Sequence, residues 1–514
     1  MLRIGIDVGG TNTDAVVMDG RDVLSAVKTS TTGDVTSGVR EAMEQALGKA
    51  GIARERVAHV MIGTTHFTNA VIERNHLSKV AAIRLGLPAA ACLPPMVDWP
   101  DDLRAAVGGH GYMLRGGYEY HGRILSDLDL EGLDRVADDI AKKGIGAAAI
   151  TSIFGPVNDA MERRTRDHLL TRIPDLKIVL SSKIGRIGLL ERESAAIMNA
   201  ALLDLADITI VAFGDAVKAC GLACGFSITQ NDGTLMDADR VRRFPVLTFA
   251  SGPTNSLRGA AFLTGITDAI VVDIGGTTSD IGALANGFPR QASSVVDIGG
   301  VRTNFRMPDV FAVGLGGGSL VADDGKSAGP QSVGYRIAKE ARVFGGSALT
   351  ATDIAVRLGK AAIGDPAKVA SIPASLAERA MTTITQTLER AVERCRLSAD
   401  PIPVITVGGG SILMPDRLGD LEVIRPANFG VANAVGAAIA QISGEVDRIV
   451  SLEGTTRKDA LAAAEDEARR NARAAGAMVD TIEVIEREDV PLAYLPGNAT
   501  RIRVRVVGDM EALQ

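Results

Sequence analysis

The segment RIGIDVGGTNTD at residues 3–14 decides the fold, because a near copy, AIVVDIGGTTSDI, returns at residues 269–281. In each copy a short apolar run predicts a buried strand that ends in an aspartate, and Gly-Gly, hydroxyl residues and a second aspartate follow. The glycines tolerate positive φ angles and close approach, so consecutive N–H groups can converge on an anion. The repeat therefore predicts two phosphate loops in one chain.

The first aspartate of each copy, Asp7 or Asp273, lies at the end of its strand and would face the bound anion. A carboxylate beside a phosphate is reasonable only if a cation lies between them. Two such loops that face each other predict a clamp for a magnesium–nucleotide complex. The alternative is that both copies are tight turns left by an old duplication, with no nucleotide site.

The doubled DxGGTxxD pattern resembles the actin, Hsp70 and sugar-kinase superfamily. Within it, the chain resembles the ATP-binding (hydantoinase A-like) subunit of the hydantoinase/oxoprolinase family. The segment GTTHFTNAVIER at residues 63–74 is similar to a motif of that family, and so is the Ser-Gly-Pro loop at residues 251–253. The resemblance covers roughly residues 2–442.

The resemblance implies an α/β, two-domain actin-like ATPase fold built from duplicated ribonuclease H-like domains. We expect a first domain at residues 1–195 with a loop-rich insert at about 85–125, a second at 196–442 and a small α/β appendage at 443–514. Members of the family are longer, so the chain is expected to be a truncated form.

Periodicity predicts several individual elements. Two helices rich in small residues, at residues 189–206 and 428–442, match the connecting helices between the domains. The other expected elements are a hairpin at 15–28, helices at 36–48, 373–396 and 455–475, and a half-exposed strand at 501–507.

Composition excludes several classes of function. The net charge of −7, the pI near 5.6 and the absence of a basic stripe argue against nucleic-acid binding. Four scattered cysteines do not suggest a disulfide framework, which favours a cytoplasmic location. No apolar run approaches 18 residues and the N-terminus lacks the pattern of a signal peptide, so we expect no membrane span.

Other candidate residues keep two interpretations each. His66 is either a substrate or phosphate contact or a packing residue, and Glu191 with Glu193 is either an acid/base pair or favourable charge at a helix start. His110 with His121, and Cys220 with Cys224, are pairs whose structural interpretation is favoured over metal binding. Gly-Lys-Ser at residues 325–327 lacks the glycine spacing of a Walker A loop and is read as part of a hairpin turn.

The resemblance also implies roles for particular residues. Asp7 and Asp273 would hold Mg²⁺ through water, while Asp14 and Asp280 would orient the phosphates or polarise the attacking group. With His66, these four aspartates are the predicted catalytic set. The predicted ATP contacts are Gly9, Gly10, Thr11, Asn12, Thr13, Gly275, Gly276, Thr277, Thr278, Gly316, Gly317, Gly408, Gly409 and Gly410.

The activity that the family resemblance implies is ATP-dependent ring opening of a cyclic amide such as a hydantoin or 5-oxoproline. ATP would phosphorylate the amide oxygen and so make the carbon electrophilic. The chain lacks an obvious Ser/His/Asp or zinc set near these motifs, so we expect a companion hydantoinase B-like subunit and an oligomer. A small-molecule kinase, a non-catalytic ATP-driven activator and a regulatory binding protein are the alternatives.

Overall fold

The computed structural model describes residues 1–10, 12–30, 35–292, 295–397, 401–493 and 498–510. Within these residues the strands, in chain order, are β1 Leu2–Val8, β2 Asn12–Asp19, β3 Asp22–Ser30, β4 Val57–Thr64, β5 Val80–Leu87, β6 His110–Arg115, β7 Ala147–Ser152, β8 Lys177–Leu180, β9 Gly225–Thr229, β10 Thr234–Met236, β11 Ala269–Ile274, β12 Ser279–Ala285, β13 Phe288–Pro289, β14 Val296–Ile298, β15 Val301–Thr303, β16 Val310–Val313, β17 Ser319–Val321, β18 Ala328–Ser332, β19 Val404–Val407, β20 Arg417–Leu418, β21 Leu421–Ile424, β22 Gln441–Val450, β23 Glu483–Pro491 and β24 Thr500–Gly508.

The α-helices of the same residues include those predicted from periodicity at residues 36–48, 373–396 and 455–475, which are α1, α12 and α14. The full set is α1 Val35–Ala50, α2 His66–Ile72, α3 Asp101–Ala106, α4 Leu130–Lys143, α5 Ala160–Arg172, α6 Leu189–Ala201, α7 Leu203–Ala219, α8 Ala238–Arg243, α9 Ser251–Thr264, α10 Ile337–Glu340, α11 Ala351–Arg357, α12 Ala374–Cys395, α13 Ala432–Ala438 and α14 Arg457–Ala474.

The two copies of the repeated segment lie in two different sheets but have the same surroundings. In the first sheet β1 is antiparallel to β2 and parallel to β4, with Asp7 opposite Asp14. In the second sheet β11 is antiparallel to β12 and parallel to β19, with Asp273 opposite Asp280. The duplication read from the sequence is therefore a duplication of strand order and register.

The first sheet is the larger and has the strand order β23-β24-β22-β10-β9-β4-β1-β2-β3. The second has the order β13-β12-β11-β19-β21-β20, with β16 also paired to β12. The hairpin predicted at residues 15–28 is β2–β3, and β17–β18 is a hairpin across the turn at residues 325–327, as predicted.

A separate sheet of parallel strands, ordered β6-β5-β7-β8, occupies the first half of the chain. The region at residues 85–125, predicted to be loop-rich, contributes β6 and α3 to this part of the fold. Residues 88–100 and 116–125 lie outside the helices and strands, so these regular elements are short and most of the region is loop, as predicted.

The C-terminal residues continue the first sheet, since β22 is parallel to β10 and pairs with β24. Helix α14 covers one face of these strands with a row of alanines, Ala460, Ala464, Ala468 and Ala472. The strand expected to be half-exposed, β24, is buried at almost every position because α14 and neighbouring strands cover it. Strands from all three predicted domains thus share one sheet, and the domain boundaries stay predictions.

Neither connecting helix is continuous. Residues 189–206 form the end-to-end helices α6 and α7, which meet at Leu202 with a bend of 50°. Residues 428–442 contain a short 3₁₀ helix at Phe429–Val431 and the seven-residue α13 before β22 begins at Gln441. In both segments the periodic pattern of small residues was correct for burial and wrong for helix length.

No single helix among the described residues has the length and apolar character needed to cross a membrane. Helices α6 and α7 meet those criteria only when taken together as a bent pair.

Helices α9 and α13 cross in close contact because glycines stand where they meet. A Cβ atom on Gly436 would lie 1.8 Å from the backbone oxygen of Asn255, and one on Gly259 would lie 1.8 Å from that of Ala432. A Cβ atom on Gly5 of β1 would lie 2.1 Å from the oxygen of Ala434. These three glycines fix the position of α13 between α9 and the first sheet.

Replacing Gly436 by alanine should force α13 away from α9, since the clash is with backbone atoms that cannot rotate aside. We expect the free energy of unfolding to fall by about 1–3 kcal/mol in denaturant titration. Gly48→Ala is the control, because its Cβ would have open space within α1. A Gly436→Ala protein as stable as the Gly48→Ala protein would contradict this packing.

Candidate active site

The two phosphate loops meet at one cleft of about 210 Å³ between the first and second sheets. Four aspartates line it, two from each copy of the repeat: Asp7, Asp14, Asp273 and Asp280. The other predicted residues that line it are Gly9, Gly10, Asn12, Gly275, Gly276, Thr277, Thr278, Gly408 and Gly409. The structure thus brings together most of the predicted residues, although their binding role stays a prediction.

Each phosphate loop is closed by an equivalent backbone hydrogen bond. The Gly9 N–H donates to the Asn12 oxygen at 3.0 Å, and the Gly275 N–H donates to the Thr278 oxygen at 2.9 Å. Both turns therefore have the same closing hydrogen bond. Thr11, predicted as a phosphate contact, lies outside the described residues.

Some predicted ligand residues support the second loop from behind rather than line the cleft. Gly317 donates its N–H to the Gly275 oxygen at 3.0 Å, and a Cβ on Gly316 would lie 2.7 Å from the Thr277 nitrogen. Gly410 donates to the Ile274 oxygen at 2.7 Å. In the first copy, the side chain of Thr13 is buried within β2.

Asp7 is held by two asparagine side chains that the sequence analysis did not single out. Asn255 Nδ2 of α9 donates to Asp7 Oδ1 at 3.0 Å, and Asn433 Nδ2 of α13 donates to Asp7 Oδ2 at 3.1 Å. Asn433 also donates to Asp14 Oδ2 at 2.8 Å, so one amide bridges two carboxylates. Lys28 Nζ lies 2.5 Å from the other oxygen of Asp14.

Helix α9 also contacts the second copy of the repeat. Ser256 Oγ donates to Asp273 Oδ2 at 2.5 Å, next along the helix from the residue that holds Asp7. Two glycines keep this region open to the carboxylates. A Cβ on Gly63 would lie 2.4 Å from Asp7 Oδ1, and a Cβ on Gly408 would lie 2.2 Å from Asp273 Oδ1.

Burial and mutual repulsion raise the pKa values of three carboxyl groups in the cleft, those of Asp7, Asp273 and Asp280. Desolvation, with the nearby Asp14 charge, raises the pKa of Asp7 to about 6 despite the two asparagine donors. Desolvation and the charge of Asp273 raise the pKa of Asp280 to about 7, and burial also raises the pKa of Asp273. A bound cation would favour the ionised forms, so the cleft has the charge that a Mg²⁺ ion requires.

A cation in this cleft fits best with water between it and the protein. Among the described residues, no group of three or more His, Cys, Asp or Glu side chains is placed to ligate a metal directly. The Asn255 Oδ1 beside Asp7 is buried and has no donor within the described ranges, and a metal-bound water would supply one. The water-mediated role of Asp7 and Asp273 stays a prediction.

His66 does not line the cleft. Its Nδ1 lies 2.6 Å from Thr64 Oγ1, and burial lowers the pKa of the ring. The neighbouring Thr65 does line the cleft, and its Oγ1 donates to the Val8 oxygen at 3.2 Å. The arrangement favours the packing interpretation of His66, although no observation tests its predicted catalytic role.

Several of the remaining candidates have structural partners. Glu193 forms a buried ion pair with Arg84, while Glu191 approaches Arg302 at 3.8 Å, so the two glutamates are engaged separately. The Cys220 thiol contacts the Arg40 oxygen at 3.7 Å. His121 pairs with Glu119 at 2.8 Å, and His110 lies on β6.

Ionisation of Asp280 should lower the free energy of unfolding of the metal-free protein. In the unfolded chain this carboxyl loses its proton near 3.8, whereas the folded protein retains it to about 7. The folded state therefore binds more protons between these values, and the free energy of unfolding falls as pH rises through this window. With a chelator present, we expect Asp280→Asn to stabilise the protein by about 1–2 kcal/mol at pH 8 and by almost nothing at pH 4.

Denaturant titration at both pH values measures the difference, with the exposed Asp22→Asn as the control. An equal effect of Asp280→Asn at pH 4 and pH 8 would exclude the proposed cost of ionisation.

Comparison with known proteins places this site in a family. The family model described as the hydantoinase/oxoprolinase N-terminal region matches residues 3–173, and the one described as hydantoinase/oxoprolinase matches residues 192–362. The acetophenone carboxylase gamma subunit of Aromatoleum aromaticum is 26% identical over 389 residues, which are 69% of this chain and 53% of that protein. Caprolactamase subunit alpha of Pseudomonas jessenii is 26% identical over 468 residues, 85% of this chain and 65% of that protein.

The chain thus spans less than two thirds of the length of these two relatives. Two solved structures are similar over the whole chain and over 88% of their own lengths. They are the ATP-dependent caprolactamase from Pseudomonas jessenii, with a TM-score of 0.78 and 20% identity, and the nucleotide-free acetone carboxylase, with 0.68 and 18%. This likeness confirms the predicted α/β, actin-like two-domain fold. Together with the two family models, it shows that the chain belongs to the hydantoinase/oxoprolinase family.

Proposed function

We propose that this chain uses ATP to phosphorylate the carbonyl oxygen of a cyclic amide, which is then opened by water. The observation that carries the proposal is the convergence of two equivalent phosphate loops and four aspartates on one cleft. Loop N–H groups are suited to phosphate oxygens, and carboxylates to a hydrated divalent cation. This is the donor set that a magnesium–nucleotide complex needs.

Phosphorylation overcomes the low reactivity of an amide. The amide oxygen would attack the γ-phosphorus of ATP, and the bond from that phosphorus to the β,γ-bridging oxygen would break to release ADP. Water would add to the activated carbon, the C–N bond would break with nitrogen leaving as an amine, and hydrolysis of the acyl phosphate would give carboxylate and phosphate. The chain's contribution is to position the phosphates and neutralise their charge.

Different residues would orient the carboxylates, hold the cation and bind the phosphates. Asn255 and Asn433 fix the orientation of the Asp7 carboxylate, and Ser256 fixes that of Asp273. A bound Mg²⁺ would be held in this cleft by the water shell around Asp7 and Asp273, and would neutralise phosphate charge. The glycines at the loop tips leave the backbone N–H groups accessible to phosphate oxygens.

Two relatives favour different reactions of the activated carbonyl compound. The name of the caprolactamase subunit describes action on a lactam, and the solved caprolactamase structure is described as ATP-dependent. The name of the acetophenone carboxylase gamma subunit favours carboxylation as the second candidate. Both relatives are named as subunits, which supports the proposal of a companion subunit, here of the hydantoinase B-like type.

Removing either of the first aspartates should abolish ATP turnover. We expect Asp7→Ala and Asp273→Ala to lower the rate of ADP release by at least about 100-fold, because each removes a carboxylate that neutralises the cation. Circular dichroism would confirm that the variants remain folded, and the exposed Asp22→Asn is the matched control. Undiminished turnover in both alanine variants would contradict the assignment of the cleft.

The substrate class can be tested with the purified chain, Mg-ATP, and a panel of hydantoin, 5-oxoproline, caprolactam, alcohols, and ketones with bicarbonate. Each mixture should be measured with and without a candidate companion subunit. We expect cyclic amides to stimulate ADP release and the partner to be needed for ring opening, with ¹⁸O from a labelled amide carbonyl appearing in phosphate. A stable phosphate ester formed from an alcohol would instead identify a kinase.

A further inference from the structure

A second and larger cavity, of about 560 Å³, lies away from the nucleotide cleft. We call it the β9 cavity, and its walls come from β4, β9, β10, β22, α8 and the end of α14. Its volume falls within the range of about 300–1000 Å³ that is typical of small-molecule sites. Neither the repeated loops nor any of the predicted site residues contributes to it.

The floor of the β9 cavity is polar and buried. His59 of β4 and Ser227 of β9 lie on adjacent parallel strands, in which His59 is opposite Gly225, and His59 Nε2 lies 2.9 Å from Ser227 Oγ. Burial lowers the pKa of His59 to about 4, so the imidazole is neutral at pH 7. Within the described part of the chain its Nδ1 has no hydrogen-bond partner, which leaves one ring nitrogen available to a ligand. Gln230 is the next polar residue of the lining.

One wall is apolar and the rim is cationic. Leu235, Met236 and Ile442 are the apolar residues that line this wall. Arg240 and Arg243 of α8 lie at the rim, where Asp237 uses its carboxylate to cap the backbone of α8 at Arg240. Within the described ranges the Arg240 guanidinium has no acidic partner. An apolar wall beside an unpaired guanidinium suits a molecule with an apolar tail and a negative head.

The cavity and the nucleotide cleft lie along the same strands. In β9, Ser227 lines the cavity, and two residues further on Thr229 Oγ1 accepts a hydrogen bond from Asn255 Nδ2 at 3.1 Å. In β4, His59 and Gly63 point to the same face because residues two apart alternate together. Asn255 also donates to Asp7, so a small displacement of β9 would move the Asn255 amide and change its hydrogen bond to the carboxylate in the cleft.

We propose that the β9 cavity binds a small carboxylate with an apolar tail, and that its occupancy is transmitted along β9 to Asn255 and Asp7. The second part rests on the proposed nucleotide cleft, and the first part does not. The site would make the chain responsive to a metabolite that is distinct from ATP.

Direct binding is tested with octanoate as the probe, and with octan-1-ol and octylamine as neutral and cationic comparators, by isothermal titration calorimetry on the full chain without nucleotide. We expect octanoate to bind best. Ala475→Trp should weaken octanoate binding at least about tenfold, because Ala475 is exposed at the cavity wall and indole would obstruct it. Ala474→Trp, one residue earlier on α14 and outside the cavity lining, is the matched control.

Arg240→Gln should weaken octanoate binding about three- to tenfold and leave octan-1-ol unchanged, since the substitution removes only the charge at the rim. Unaltered octanoate affinity in Ala475→Trp, or octylamine bound as tightly as octanoate, would overturn the assignment. Because Arg240 is exposed, this variant tests the site even if Ala475→Trp fails to fold.

Transmission is tested by measuring the dissociation constant of Mg-ATP with and without saturating octanoate. We expect a change of about two- to fivefold in the wild-type chain and none in Ala475→Trp. An unchanged constant in the wild type would overturn transmission, while the octanoate titration would still decide the site. Absence of Mg-ATP binding in either condition would overturn the proposed function and transmission together.

Discussion

The hydrogen bonds from helix α9 to the two strand-end aspartates are the constraint on which the cleft depends. Asn255 donates to Asp7 and the adjacent Ser256 donates to Asp273, so one turn of one helix contacts both copies of the repeat. The helix can reach both because Gly63 leaves room for its amide side chain. The relative position of the two loops is therefore set by α9 rather than by the loops themselves.

The same helix is also fixed from behind. The glycine contacts between α9 and α13 bring Asn433 to the pair Asp7 and Asp14, which it bridges. The close packing of α13 against α9 therefore also fixes the orientation of the carboxylates, since a displaced α13 would displace the Asn433 amide that donates to them. The two donors do not offset desolvation of Asp7, whose pKa stays raised, and a cation is the natural partner for the remaining charge.

Much of this arrangement was predictable because the repeat records it directly. A strand that ends in Asp-x-Gly-Gly-Thr fixes the side of the turn on which the aspartate lies, and two copies imply two equivalent turns. Asn255 and Asn433 were not identified, because each is a single polar residue whose partner lies hundreds of positions away in sequence. The only available signal was their location in segments that resemble the family, next to the Ser-Gly-Pro loop and within the second connecting helix.

Helix lengths and sheet membership were harder to predict for a related reason. Small residues continue past Leu202 and Ala438, so periodicity alone does not show where a helix ends. Strand β22 joins the first sheet by pairing with β10. No local sequence pattern indicates a pairing between strands so far apart in the chain. Thr234 and Leu235 pair there with Gln441 and Ile442, although the second family match ends between the two strands in sequence.

The mixed origin of the first sheet has a consequence for synthesis and folding. Its strands β1 and β4 are near the start of the chain, whereas β22, β23 and β24 come from residues 441–508. During translation, β10 must therefore wait with an unpaired edge until most of the chain has left the ribosome. Such late, non-local pairing is intrinsically slow and exposes a strand edge to other chains. The edge of β10 consequently stays exposed for longer during synthesis than it would in a chain whose sheets form from consecutive strands.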